Sequence, residues 1–222
     1  MQSYFEYLKT YGPRFVDGTI ITLEQTGLGI VLAITVAVAA AFMKMSSFSP
    51  VRWLGITYIE IFRGTSLLVQ MYWIFFVLPL FGITLEKFTA GFLAVGLNLG
   101  AYGAELVRGA VQSVPKGQYE AAIALNLHPF TRMRRIIFPQ ALLAMLPPWG
   151  NLLIELLKAT ALVALISVPD LMFEAKMTNM TTFLSAQTFG TALIIYYVIS
   201  RLIISPCMRW LEKRLSRKLS RG

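Results

Sequence analysis

Cysteine and histidine are almost missing from this chain: Cys207 and His128 are the only ones among its 222 residues. One thiol cannot close an internal disulfide, so nothing in the fold depends on an oxidising compartment. A single residue of each kind cannot build a Cys/His metal centre either, and a lone histidine in a turn is far more often filler than catalyst. Charge is also scarce. Charged side chains make up 14 % of the chain, against about 25 % in a typical soluble domain. The sequence also lacks a phosphate-cradling Gly-x-x-x-x-Gly-Lys-Ser/Thr loop, which excludes nucleotide hydrolysis of that type within this chain.

What the chain has instead is apolar length. Hydrophobic residues reach 56 % and the mean hydropathy is +0.65. Gly64–Leu85, Phe88–Ala104, Ile136–Ile154 and Met177–Ser200 carry no charge, and Gln25–Met45 carries only Lys44, near its end. A bilayer core of ~30 Å needs about 20 mostly apolar residues as helix, and these windows match that length. The composition is that of an all-α polytopic membrane protein. The net charge of +9 does not point to nucleic acid, because much of it lies between the windows and in the tail. The first apolar run begins near Ile20 without a basic flank, so it is not expected to be a cleaved leader.

Five membrane helices are expected, at about 20–43, 56–81, 88–109, 140–168 and 188–206. Pro147 and Pro148 should kink the fourth. Connections rich in Lys and Arg alternate with poor ones: Lys44 and Arg52 after the first helix, Lys116, Arg132, Arg134 and Arg135 after the third, and a basic tail over 207–222. The positive-inside rule then puts the N-terminus outside and the C-terminus in the cytoplasm.

The segment 113–139 falls on the cytoplasmic side. Tyr119, Ala122, Ile123 and Asn126 lie near one face of a short helix. Asn126 can adopt a left-handed conformation and end it. His128-Pro129 turns the chain, and Phe130–Phe138 reads as a second helix running up to Pro139. The result is a helical hairpin outside the bilayer with small alanines at its tip. From spacing alone, it reads equally as a docking element or as an interfacial loop whose arginines sit among anionic headgroups.

The order Glu120-Ala121-Ala122, Asn126, Ile136 and Phe138-Pro139 resembles the Glu-Ala-Ala signature of permease subunits of bacterial ABC importers. Asn126 stands where that signature has Gly, and Phe138 where it has Leu. The stretches "YIEIFRGTSLLVQMYWIFFVLPLF", "NLGAYGAELVRGAVQSVPKGQYEAA" and "LPPWGNLLIELLKATALVALISVPDL" resemble the polar-amino-acid uptake branch of the family. Ser66 in place of the branch's usual proline, with "PLFGITL" and "EAAIALNL", is similar to ectoine/hydroxyectoine permeases. The resemblance implies one transmembrane domain over 1–222, with 113–139 as the coupling loop and no catalysis in this chain. It further implies a second, like permease, two ATP-binding-cassette ATPases holding ATP and Mg, and an extracytoplasmic solute-binding protein. Coupling to the ATPase is then expected at Gly117, Glu120, Ala121, Ala122, Asn126, Arg134 and Arg135.

Glu60/Arg63, Glu105/Arg108 and Glu155/Lys158 share a three-residue spacing, which puts each pair on one helix face where it can neutralise itself. The first two lie near cytoplasmic helix ends, where side chains snorkel. Glu155 and Lys158 fall near the middle of the fourth helix, where a charge costs about 2.5–3.5 kcal/mol and marks a pathway or gate. Lys158 is expected to meet the carboxylate of a zwitterionic solute and Glu155 its cationic group. Asn98 and Gln70, at similar depth, either complete the lining or bond between helices. Arg201 needs an acceptor on a neighbouring helix. The kinked fourth helix, with Gly150, is the expected bending point of the transport cycle. The rival expectation is an ion-gradient-driven transporter or channel subunit that uses Glu155 or Glu24 as a coupling carboxylate; it needs no hairpin of this size.

Overall fold

A computed structural model describes Tyr4–Leu219. Met1–Ser3 and Ser220–Gly222, with the end of the 207–222 tail and its Arg221, lie outside the described residues. Every described element is helical. Four helical stretches are long and apolar enough to cross a membrane, and a fifth counts if one bent pair is taken as a broken span.

The first helix, α1 (Tyr4–Lys44), starts well before the expected position 20. The apolar window marks where the helix meets lipid, not where it begins. Its first turns bury Tyr7, Phe15 and Gly18 and leave Glu6, Lys9, Arg14 and Asp17 exposed. The same buried seam continues through Thr22, Gly29, Ala33, Ala37 and Ala40 at close to helical period.

The expected single helix 56–81 is two helices. α2 (Ser49–Gly64) and α3 (Leu67–Tyr72, extended by a π turn at Trp73–Val77 and a 3-10 turn at Leu78–Phe81) meet at 106°. Gly64, Thr65 and Ser66 are poor helix formers in a row, and Thr65 is extended (φ −123°, ψ 157°). α4 (Lys87–Ser113) is the most buried membrane helix.

α1 and α4 form the centre of the molecule. Lipid supplies no hydrophobic drive between helices, so close van der Waals packing must hold them. Small residues make that possible: Ala33, Ala37 and Ala41 are fully buried beside Gly96, Gly100 and Gly103. A Cβ on Gly103 would lie 2.9 Å from the Ala37 Cβ and 2.8 Å from the Trp149 ring. Trp149 is thus a core residue, whereas Trp53 and Trp210 are largely exposed, as interfacial side chains should be.

After α4 come α5 (Lys116–Ala124) and α6 (Pro129–Arg132), a π turn at Met133–Ile137, and α7 (Phe138–Thr160), prolonged by a 3-10 turn to Ile166. The second arm of the hairpin does not stop at Pro139. It runs unbroken from Pro129 to Ile166 as one 38-residue span; a π turn at Met133–Ile137 directly precedes Pro139, the kind of local adjustment by which a helix accommodates a proline. α8 (Leu171–Thr182) and α9 (Ser185–Ile199) follow. A π turn at Ser200–Ile204 joins α9 to α10 (Ser205–Leu219), so the basic tail continues the last span.

One junction fixes α8 to the rest. Gly18 lies so close to the Asp170 carbonyl that a Cβ would meet its oxygen at 2.9 Å. The Leu171 N–H donates to Thr22 Oγ1 at 3.1 Å. Asp170 is buried and caps α8 by accepting from the Phe173 N–H at 2.8 Å; its other oxygen accepts from the Tyr196 hydroxyl at 3.3 Å. Burial pushes its carboxyl up from 3.8 to about 6, against the pull of the N–H donors. The folded chain therefore holds this proton more tightly than the unfolded one. The stability it contributes is full below pH ~4 and is lost as pH rises through ~6, a change of roughly 2–3 kcal/mol. Asp170→Asn, which keeps a capping oxygen, should flatten that part of the pH dependence of thermal unfolding in detergent. An unchanged profile between pH 4 and 7 would refute the assignment.

Candidate functional site

Three groups of charged and polar side chains stand out in the span region. At the end of α1, the Lys44 Nζ lies 2.6 Å from Glu105 Oε1, while Arg108 donates to Glu105 Oε2 through Nε (3.0 Å) and Nη2 (2.7 Å). The expected Glu105/Arg108 pair forms, and α1 adds a second cation that the spacing did not reveal. The Glu60/Arg63 pair does not form. Arg63 instead lies over the Tyr102 ring, 5.3 Å from its centroid, and Glu60 is exposed.

The second group closes the α2–α3 break. Ending a helix leaves its last carbonyls without partners. Phe62 O accepts from Asn98 Nδ2 (2.9 Å) and from Gln70 Nε2 (2.9 Å). Gln70 Nε2 also reaches Thr65 Oγ1 at 2.6 Å, and Gln70 Oε1 accepts from Asn98 Nδ2 at 3.0 Å. Gln70 and Asn98 therefore bond between helices and pin the bend to α4.

The third group is a groove of about 250 Å3 whose lining includes Asn98, Tyr102, Glu155 and Lys158. Three of the four expected path residues thus converge; Gln70 stands behind Asn98 and does not line the groove. Tyr102 was missed, although it follows Asn98 by one turn and shares its face. Glu155 and Lys158 are exposed on this chain and form no ion pair among the described residues. Their expected self-neutralisation fails: the two side chains leave α7 on one face but do not meet. Lys158 also borders a wider cavity of about 480 Å3 with Phe189, Tyr196 and Tyr197.

Outside the spans, the hairpin takes the shape expected of 113–139. α5 ends in a left-handed Asn126 (φ 53°). The Leu127 N–H donates to Ala122 O at 3.0 Å and the Asn126 N–H to Ile123 O at 2.8 Å, the paired bonds of a Schellman cap. His128 Nδ1 accepts from the Phe130 N–H at 3.3 Å and starts the second arm. Ala122 is buried and Tyr119 bonds to Val111 O at 3.1 Å, so this side faces inward. Ile123 does not share that side; it projects outward with Gly117, Glu120, Ala121, Leu125, Asn126, Arg134 and Arg135. One residue of helix rotates the side chain by 100°, which separates Ile123 from Ala122. Beside the hairpin, Phe42, Met45, Phe130, Met133 and Phe138 border an open cleft of about 840 Å3 at the end of α1.

Residues 29–217 match the family described as binding-protein-dependent transport system inner membrane component. A probable amino-acid ABC transporter permease protein of Sinorhizobium fredii is 42 % identical over 87 % of this chain and 87 % of its own length. A putative glutamine transport system permease protein of Rickettsia bellii is 36 % identical over 95 % and 98 %. A crystal structure of an amino acid ABC transporter with histidines superposes with a TM-score of 0.87 at 36 % identity, covering 96 % of this chain and all of that one.

The Asn98 bonds give a direct test. Asn98→Leu removes a donor from Phe62 O and from Gln70 Oε1, and should lower unfolding stability by about 0.6–2 kcal/mol. Asn98→Gln, which retains the amide, should cost less. Equal losses in the two variants would show that packing, not the bonds, matters at this position.

Proposed function

The chain belongs to the family of binding-protein-dependent transport system inner membrane components, as a permease subunit of an amino-acid ABC importer, and we propose that Glu155 and Lys158 form its contact with a zwitterionic solute. The observation that carries this is the groove. Two opposite charges sit one turn apart in a membrane helix, without protein partners among the described residues, in the same cavity as Asn98. A charge at that depth needs a counterpart. The ammonium of Lys158 suits a carboxylate, and the carboxylate of Glu155 suits an ammonium or amidinium. Both charges face away from the chain, so the path runs between this permease and a second, like copy.

Gly117, Glu120, Ala121, Asn126, Arg134 and Arg135 form the exposed surface that docks on the ATPase, while buried Ala122 holds the hairpin to the body of the molecule. ATP and Mg belong to that partner, and an extracytoplasmic solute-binding protein delivers the solute. The hairpin, the basic connections and the tail lie in the cytoplasm, with the N-terminus outside. Among solutes, a polar amino acid such as glutamine fits the names of the relatives. The ectoine/hydroxyectoine reading rests on Ser66, "PLFGITL" and "EAAIALNL" alone and ranks second.

Uptake by the assembled transporter tests each part. Lys158→Met should lower amino-acid uptake about 10- to 100-fold, the equivalent of one charged hydrogen bond, while the complex still assembles. Normal uptake would remove the solute contact. Glu120→Lys should leave the ATPase hydrolysing ATP but uncouple it from uptake. Uptake that persists without any ATPase would instead favour a gradient-driven transporter. Competition between unlabelled glutamine and unlabelled ectoine for labelled uptake ranks the solutes.

A further inference from the structure

Arg201 does not line the groove of Glu155 and Lys158. It lies within the last span and makes no hydrogen bond or ion pair with a described residue. It lines a cavity of about 200 Å3 between α7 and the π turn leading into α10, together with Asn151, Ile154, Ser205, Arg209 and Glu212. Among the described residues, no neighbouring helix supplies the acceptor expected for Arg201. The Asn151 side chain likewise makes no hydrogen bond with a described residue, and Arg209 donates only to Ser205 O among them, at 3.3 Å. Three polar side chains with spare donors thus converge on one small space.

The backbone shapes this space. Ser200–Ile204 is a π turn, a device common at functional sites. The Ser205 hydroxyl closes it by donating to Ser200 O at 2.9 Å. Across the groove, Gly150 lacks a side chain, and a Cβ there would touch Met208 at 3.6 Å, so the two helices run close together. Outside the groove, Leu202 and Ile203 are mostly exposed. Trp210 and Arg214 stack 4.9 Å apart, as an aromatic and a cation do at a headgroup boundary. Two arginines against one glutamate line the groove, and exposed apolar Leu202 and Ile203 follow Arg201 directly in the chain.

We propose that this groove binds the headgroup of one anionic phospholipid, in the leaflet on the side of the basic tail. The arginine guanidinium groups donate to the phosphate oxygens, where Arg gives strong charge-assisted bonds. The Asn151 amide bonds to a headgroup hydroxyl, and the acyl chains lie along Leu202 and Ile203. Glu212 opposes the phosphate and limits affinity. Basic pockets between membrane helices are known to select such headgroups; here the selectivity comes from two arginines eight residues apart in one helical stretch. The site ties the last span to α7, the helix that carries both the hairpin and the groove charges.

Native mass spectrometry of the full chain in detergent, titrated with phosphatidylglycerol or phosphatidylcholine, tests this. Wild type should bind one phosphatidylglycerol about tenfold more tightly than phosphatidylcholine, and Arg201→Gln/Arg209→Gln should lose about that factor. Lys213→Gln removes one positive charge outside the groove lining and should shift binding by less than about twofold. Glu212→Gln should tighten phosphatidylglycerol binding, which keeps the proposal falsifiable even if the double variant fails to fold. Unchanged binding in the double variant, weaker binding in Glu212→Gln, or equal binding of both lipids overturns it. Full displacement of phosphatidylglycerol by millimolar inorganic phosphate would reassign the site to free phosphate.

Discussion

The contact of α1 with α4 is the constraint on which the other placements rest. In lipid, burying a leucine between helices gains little over leaving it among acyl chains, so helices hold together only where their backbones come close. Ala33, Ala37 and Ala41 on one side and Gly96, Gly100 and Gly103 on the other provide that approach. α4 is thereby fixed, and with it the directions of Asn98, Tyr102, Glu105 and Arg108. Trp149 fits only because Gly103 has no side chain, which locks α7 to the same centre.

A second rule follows from the lack of water. Each interrupted helix must find partners for its loose carbonyls and N–H groups within the protein. Gln70 and Asn98 serve the end of α2. Outside the spans, Asp170 caps the start of α8 and Asn126 closes α5 with backbone bonds. Irregular backbone appears in this molecule where a side chain or a left-handed residue can satisfy it.

These two rules connect the hairpin to the groove. From Pro129 to Ile166 the chain is one helical rod of ~57 Å at the usual rise. The hairpin arm forms one end; Glu155 and Lys158 lie near the other. No loop separates the hairpin arm from those charges. Pro147 and Pro148 lie within this rod, and the helix is continuous through them, so the double proline marks a place of missing bonds but not of a break.

The helical membrane class, the main apolar windows and the hairpin with its Asn126 stop were legible in the sequence, because they depend on local composition and on residues close in the chain. Hydropathy also put Glu155 and Lys158 in a helix long and apolar enough to cross a membrane. It did not show that α1 begins at Tyr4, since a helix face buried against protein needs no apolar run. It did not show the 106° break at Thr65–Ser66, because Gly64, Thr65 and Ser66 become a bend only where Asn98 stands ready on α4 to satisfy Phe62. Spacing correctly paired Glu105 with Arg108. It wrongly paired Glu60 with Arg63 and Glu155 with Lys158, because a three-residue interval says which side chains share a face, not whether they meet. The Tyr102 ring from α4 holds Arg63 and Lys44 from α1 joins Glu105, contacts that only the packing of distant segments brings within reach.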